Sequence, residues 1–264
     1  MIDMVQWTKL RFPITACHML TLVVLTAGAP AARAGEAYQV ATISSLLAGS
    51  YDGDTTMDEV LRHGDFGLGT FNGVDGEMML LDGRVYRGTT DGRAHLVARG
   101  ERTPFAVVVD FQPQLSMPVT AGQSLQQLQA ALDGLPYSGS RILAVRIDAH
   151  FQSVQIRSEP KQMKPYRPLA EVIRKEQVVN TLNEVDGTLI GFRFPATTSS
   201  VNVSGWHFHF LASGKDWGGH VLTLTTGAGR ASIQEISDLR IHLPADAASP
   251  SASVEAVKAV EQPR

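Results

Sequence analysis

Apolar and polar positions alternate with a period of two over much of the chain, in short runs bounded by Gly, Pro, Asn or Asp. That pattern predicts strands joined by tight turns. Glu77–Leu81 and Arg84–Arg87 flank Asp82-Gly83, the dipeptide that a two-residue type I′ hairpin requires. Ala37–Leu47 reads as a strand followed by a short helical turn. Phe66–Phe71 is a strand with glycine at alternate places, Gly67 and Gly69, where a neighbour must pack closely. Pro104–Phe111 is a buried strand centred on Val107-Val108-Val109. Arg141–Asp148 and Phe151–Ser158 read as two strands, and Gly187–Phe194 and Ala231–Leu243 supply further sheet material.

Helical signals are fewer. Thr56-Met57-Asp58-Glu59 and Ser124-Leu125-Gln126-Gln127 are capping boxes, the first opening a short helix that stops at Gly64. The second opens a helix with Leu125, Leu128, Ala131 and Leu132 on one face, ending at Gly134. Pro168 sits at the first turn of a helix over Leu169–Val178. A Pro/Ala/Ser linker from Pro244 to Ala252 precedes a short terminal helix over Val254–Glu261. Strands outnumber helices, so the fold class is α+β, sheet-dominated, with a few helices as covers.

Val203–Leu224 carries the chemistry. A polar Ser213-Gly214-Lys215-Asp216 separates two runs rich in β-branched, aromatic and aliphatic residues, which predicts a hairpin. Residues two apart in a strand share a face, so His207 and His209 point one way while Phe208 and Phe210 point the other. A turn centred on Gly214-Lys215 places His209 opposite His220, and three imidazoles then converge. Three neutral nitrogen ligands with an open fourth position are the arrangement of a catalytic zinc site. Gly218-Gly219 either shifts this register with a bulge or lets the backbone pass close to a neighbour.

Composition adds an address. Lys9 and Arg11 precede a mostly apolar run from Ile14 to Ala27, and Ala32-Arg33-Ala34 has the small-x-small pattern of a cleavage site. Residues 1–34 therefore read as a secretory signal peptide cut after Ala34, too short in its apolar run for a comfortable membrane span, and the mature chain is expected to be periplasmic or secreted. Cys17, the only cysteine, lies inside it, so any metal in the mature protein is held by nitrogen and oxygen. The formal charge of −3 becomes −5 once Lys9, Arg11, Arg33 and Asp3 are removed, with 20 basic against 25 acidic residues. No basic stripe survives, which argues against a nucleic-acid partner. About 230 residues remain, enough for one catalytic unit over 35–264, or for two intimate β-rich subdomains of about 35–140 and 141–264.

Several blocks, in order, resemble one family. They are Tyr51-Asp52-Gly53-Asp54, His63–Asn72, Asp75-Gly76-Glu77-Met78 with Asp82-Gly83, Thr103–Ala106, Lys164–Leu169, Gly187–Arg193, and His207-x-His209 with Gly218-Gly219-His220. Together they cover nearly all of the mature chain and are similar to the motifs of bacterial α-acetolactate decarboxylases. The resemblance implies a fold of mixed β-sheets, usually as a homodimer, and a zinc enzyme converting (S)-2-acetolactate to (R)-acetoin and carbon dioxide. It implies His207, His209 and His220 as metal ligands, Glu77 at the metal site, Arg157 as the active-site arginine and Thr70 on the substrate side. A second glutamate near the family's C-terminus falls on Glu261, with Glu255 as the alternative occupant because the preceding linker is short.

The chemistry asks for such residues. Losing carbon dioxide from a β-keto acid leaves an electron pair that the neighbouring carbonyl stores as an enolate, and zinc polarises oxygen without changing oxidation state. Arginine stays charged at any working pH, and its fork suits a carboxylate or a developing enolate. Glu77 beside a cation suits the final protonation. The nearest rival is a cupin-like metal-binding module or dioxygenase, but that motif wants a glutamate a few residues after the second His, and Phe210–Asp216 contains none. A zinc hydrolase lacks its His-Glu-x-x-His here. His63, His95, His150 and His242 read as structural or exposed.

Overall fold

The computed structural model describes residues 35–136, 139 and 141–245. The expected signal peptide, most of the linker, the terminal helix, Glu255 and Glu261 lie outside the described residues. The first half of the chain supplies β1 (Glu36–Val40), α1 (Ile43–Leu47), β2 (Thr55–Thr56), α2 (Met57–Val60), β3 (Phe66–Thr70), β4 (Glu77–Leu81), β5 (Arg84–Gly88) and β6 (Ala94–Leu96). β7 (Arg102–Thr103), β8 (Ala106–Val109), β9 (Leu115–Val119) and α3 (Leu125–Asp133) follow. The second half adds β10 (Ile142–Ser158), α4 (Leu169–Glu176), β11 (Val178–Phe194), β12 (Gly205–Ala212), β13 (Gly218–Ile236) and β14 (Asp238–His242).

Two sheets dominate, and the α+β, sheet-rich class is as expected. The first has seven strands in the order β14-β1-β8-β3-β4-β5-β6, mixed because β14 runs parallel to β1 while the other pairs are antiparallel. In the second, β10 pairs with both β11 and β13, while β12 bridges β11 and β13. Those four strands therefore close on themselves as a small barrel, which removes most free edges, and β9 extends from β13.

Local chemistry explains the elements. Asp82 and Gly83 both have positive φ, 52° and 71°, as a type I′ turn demands. Ser124 forms the full reciprocal box with Gln127. Thr56 forms only half of one: it accepts from the Glu59 amide, while the Glu59 carboxylate turns to Arg62 and His63.

Between the sheets, Phe66, Leu68, Met79 and Val107 from the first pack with Ala144, Ile190, Phe192 and Leu211 from the second. Inside the barrel, Phe151, Val154, Leu189, Phe208 and Phe210 form another core, sealed by Leu128 and Leu132 of α3. A fully buried side chain of this size contributes about 1.5–3 kcal/mol. α1 and α4 share a third cluster through Ile43, Leu46, Leu169 and Val172.

Three expectations need correction. Arg141–Asp148 and Phe151–Ser158 are one strand, because register shifts between Ala149 and Ser153 let β10 bend and continue. β11 begins at Val178, nine residues before Gly187, and α4 stops at Glu176 rather than Val178. Ala231–Leu243 is sheet material as expected, with β13 running on from the His hairpin through Ile236. The chain breaks at Ser237 and Asp238–His242 joins the other sheet. Leu115–Val119 is a further strand, unanticipated because Pro118 interrupts it; an edge position tolerates proline.

Candidate active site

The His hairpin keeps the predicted register. His209 pairs with His220, Phe210 with Gly219 and Leu211 with Gly218, with no bulge between them. A reversal at Ala212–Lys215 sets this register, the Lys215 amide donating to the Ala212 carbonyl and Lys215 itself at φ 59°. All three imidazoles are buried. His207 Nε2 lies 3.2 Å from His209 Nε2 and 3.1 Å from His220 Nδ1.

Glycine at 218 and 219 serves close approach rather than a bulge. A Cβ on Gly218 would meet the Met79 side chain at 2.5 Å, and one on Gly219 would meet the Arg157 carbonyl oxygen at 2.8 Å. From the other sheet, a Cβ on Gly88 would lie 2.4 Å from the Gly218 carbonyl oxygen. The Ser158 hydroxyl donates to the Gly88 carbonyl at 2.8 Å, tying the sheets together at this place.

This seating brings Arg157, Glu77 and Thr70 to the triad. Arg157 pairs with His220 across β10 and β13, so the two share a face. Thr70 and Glu77 pair across β3 and β4 in the opposing sheet. Glu77 Oε2 is 3.3 Å from His209 Nε2, and Glu77 Oε1 is 3.2 Å from Arg157 Nη1. Thr70 donates its hydroxyl proton to the Gly76 carbonyl at 2.8 Å. Thr70, Glu77, Arg157 and the triad line one cavity, whose remaining wall is mostly apolar: Ile43, Leu46, Val74, Phe105 and Leu169.

Glu159 also lines this cavity, and sequence reasoning passed over it. It is 4 % exposed and its Oε1 accepts from Arg157 Nη1, the same nitrogen that faces Glu77. Nearby, burial foremost and then the Glu159 charge push the Tyr51 hydroxyl up from its ordinary value.

The triad fits a divalent cation. Burial drives His209 down to about 3 and holds His207 and His220 well below the ordinary imidazole value, so all three rings are neutral. His209 Nδ1 donates to the Met78 carbonyl at 2.8 Å, which fixes its tautomer and turns the Nε2 lone pair inward. Ligand nitrogens about 2.0–2.1 Å from a tetrahedral zinc sit roughly 3.3 Å apart, close to the spacings here. Among the described residues, these three histidines are the group that could hold an ion.

Among the described residues, the other histidines stay outside. His63 stacks on Tyr38 with ring centroids 3.7 Å apart, His150 sits between Glu184 and Asp186, and His242 meets Asp54. Phe208 and Phe210 belong to the barrel core, on the strand face opposite the triad.

Comparison with known proteins agrees with this geometry. Residues 37–255 match the family model described as alpha-acetolactate decarboxylase. The chain is 43 % identical over 209 residues to the alpha-acetolactate decarboxylase of Methylococcus capsulatus, covering 79 % of this chain and 80 % of that protein. It is 41 % identical to that of Klebsiella aerogenes, covering 80 % and 81 %. The crystal structure of alpha-acetolactate decarboxylase from Bacillus subtilis strain 168 superposes with a TM-score of 0.83 at 34 % identity, covering 86 % of this chain and all of that one. The cupin-like alternative falls with these matches: the chain belongs to the alpha-acetolactate decarboxylase family of enzymes.

Proposed function

We propose that this protein decarboxylates (S)-2-acetolactate to (R)-acetoin with a zinc ion held by His207, His209 and His220. The observation that carries the reading is the convergence of three buried, neutral imidazoles beside Arg157 and Glu77 in one cavity. Bound there, zinc supplies Lewis acidity toward the ketone and hydroxyl oxygens of a 2-hydroxy-3-keto acid without redox change.

The protein's own groups do the rest. Arg157 holds the substrate carboxylate and orients the bond that breaks, since its guanidinium keeps its charge at every working pH. Because Thr70 spends its proton on the Gly76 carbonyl, its oxygen faces substrate as an acceptor and suits the tertiary hydroxyl. The apolar wall of Ile43, Leu46, Val74, Phe105 and Leu169 packs the methyl groups and excludes water, which strengthens the charge interactions inside. Glu77, between the guanidinium and the triad, passes a proton taken up from solvent to one face of the carbon that lost carbon dioxide, as the acid itself or through a water that it holds. Glu261, or Glu255 in its place, adds a carboxylate from the C-terminal segment. The apolar run and Ala32-Arg33-Ala34 support export before the protein acts, and the family resemblance supports a homodimer.

The test is direct. Purified protein incubated with acetolactate is expected to yield acetoin, to stop after chelation and to recover with zinc. Metal-replete protein that yields none overturns the proposal.

A further inference from the structure

The Arg157 environment carries one carboxylate more than the proposed reaction explains. Glu77 and Glu159 both contact Nη1 of a guanidinium whose side chain is 5 % exposed. Glu77 has a second partner in His209, so it belongs to the triad as well. Glu159 is as buried as Arg157, lines the same cavity, and faces the cation that the anionic substrate is expected to use. Glu77 is shared with the triad and the divalent ion proposed there, so Glu159 is the carboxylate whose ionic partner among the described residues is Arg157 alone. Its negative charge beside the guanidinium lowers the attraction of that cation for an anionic substrate.

We infer that Glu159 is a positioning residue that acts through Arg157, weakening its grip on the substrate carboxylate so that the grip does not trap the ground state. The inference rests on the reading of Arg157 as the carboxylate-holding group. In the reaction the bond between the hydroxyl-bearing carbon and the carboxyl carbon breaks. Its electron pair moves onto the ketone as an enolate, and neutral carbon dioxide leaves. Negative charge thereby departs from the Arg157 end of the cavity, and repulsion by Glu159, present in the bound substrate, is relieved in the transition state. An interaction that penalises only the ground state raises kcat and KM together.

Glu159→Gln removes the charge while keeping the shape and the oxygen that accepts from Nη1. It separates this role from a structural one, because lost packing raises KM whereas lost repulsion lowers it. In the zinc-loaded protein, Glu159→Gln is expected to lower kcat and KM together, each by about tenfold, leaving kcat/KM nearly unchanged. Calorimetric titration provides a readout that needs no turnover. The probe is the analogue whose ketone is reduced to an alcohol, which keeps the carboxylate and cannot decarboxylate. It is expected to bind Glu159→Gln about tenfold more tightly than wild type, while the neutral butane-2,3-diol binds both alike and Glu159→Asp stays near wild type.

Unchanged or weaker binding of the anionic analogue by Glu159→Gln, or failure of that isosteric variant to fold, overturns the inference. Failure of the proposed reaction reads out separately. Wild-type protein that makes no acetoin overturns the decarboxylase reading, whereas the role of Glu159 stands or falls on the titrations.

Discussion

Gly88→Ala tests whether the seating of one sheet on the other is what builds the site. The added Cβ would lie 2.4 Å from the Gly218 carbonyl oxygen, 2.8 Å from its carbon and 3.2 Å from the Gly219 Cα. Every one of those atoms is backbone, so no side-chain rotation relieves the contact. To reach ordinary separation near 3.4 Å, β5 and the start of β13 must part by roughly 1 Å. Overpacking of this kind costs about 1–3 kcal/mol. In a chain of this size each kcal/mol lowers Tm by about 2–4 °C. The same displacement enters the triad one residue beyond Gly219, and a misplacement near 1 Å costs about 10²-fold in rate.

Thermal melts and kcat are therefore expected to fall together, with zinc affinity reduced. Gly100→Ala serves as the control, since a Cβ there meets nothing within 4 Å. Its stability is expected to hold or rise by about 0.4–1 kcal/mol. A Gly88→Ala protein with wild-type Tm, zinc affinity and turnover refutes the reasoning.

Further perturbations probe single parts. Arg157→Ala is expected to keep zinc and lose turnover; metal analysis beside the acetoin assay checks this, and full activity contradicts the assigned role. Glu77→Gln is expected to slow the rate by about 10²–10⁴-fold without emptying the site, and an unchanged rate removes Glu77 from the chemistry. Phe210→Ala, inside the barrel against Phe151 with ring centroids 5.5 Å apart, is expected to cost about 3–5 kcal/mol in urea denaturation; a loss under about 1 kcal/mol contradicts the packing described.

Metal-free protein should also be acid-sensitive. Burial lowers the triad in the folded state, so below about 6.5 the unfolded chain binds more protons. Stability is whole above that value and is lost as pH falls toward 3, the folded value for His209. His63, lowered by burial, adds to the loss, whereas His150, raised by Glu184 and Asp186, opposes it. In a His150→Gln background the urea midpoint is expected to fall from pH 7.5 to 5; a level or rising midpoint contradicts the account.

What could be read from residues alone was local. The Asp82-Gly83 turn, the Ser124 box and the pairing of His209 with His220 each follow from a handful of neighbouring side chains and a fixed strand period. Non-local pairing was not legible. β14 lies beside β1 from the far end of the chain, and nothing near Asp238–His242 announces a partner about 200 residues away. β10 looked like two strands because its register shifts break the alternation between Ala149 and Ser153. The first half of β11, Val178–Asp186, is largely exposed and shows no apolar face to recognise. Glu159 stayed hidden for the same reason: a further shift between Gln155 and Ile156 settles which way the end of β10 faces, and only the closed barrel shows that this end meets the triad.

The central claim is that His207, His209 and His220 hold the ion on which turnover depends. Metal analysis of wild type and His209→Ala, run beside the acetoin assay on the same samples, tests it most directly. The account predicts stoichiometric divalent metal and acetoin formation in wild type, and the loss of both together in the variant. Acetoin formation by metal-free protein, or a His209→Ala protein that keeps its ion and its rate, would contradict it.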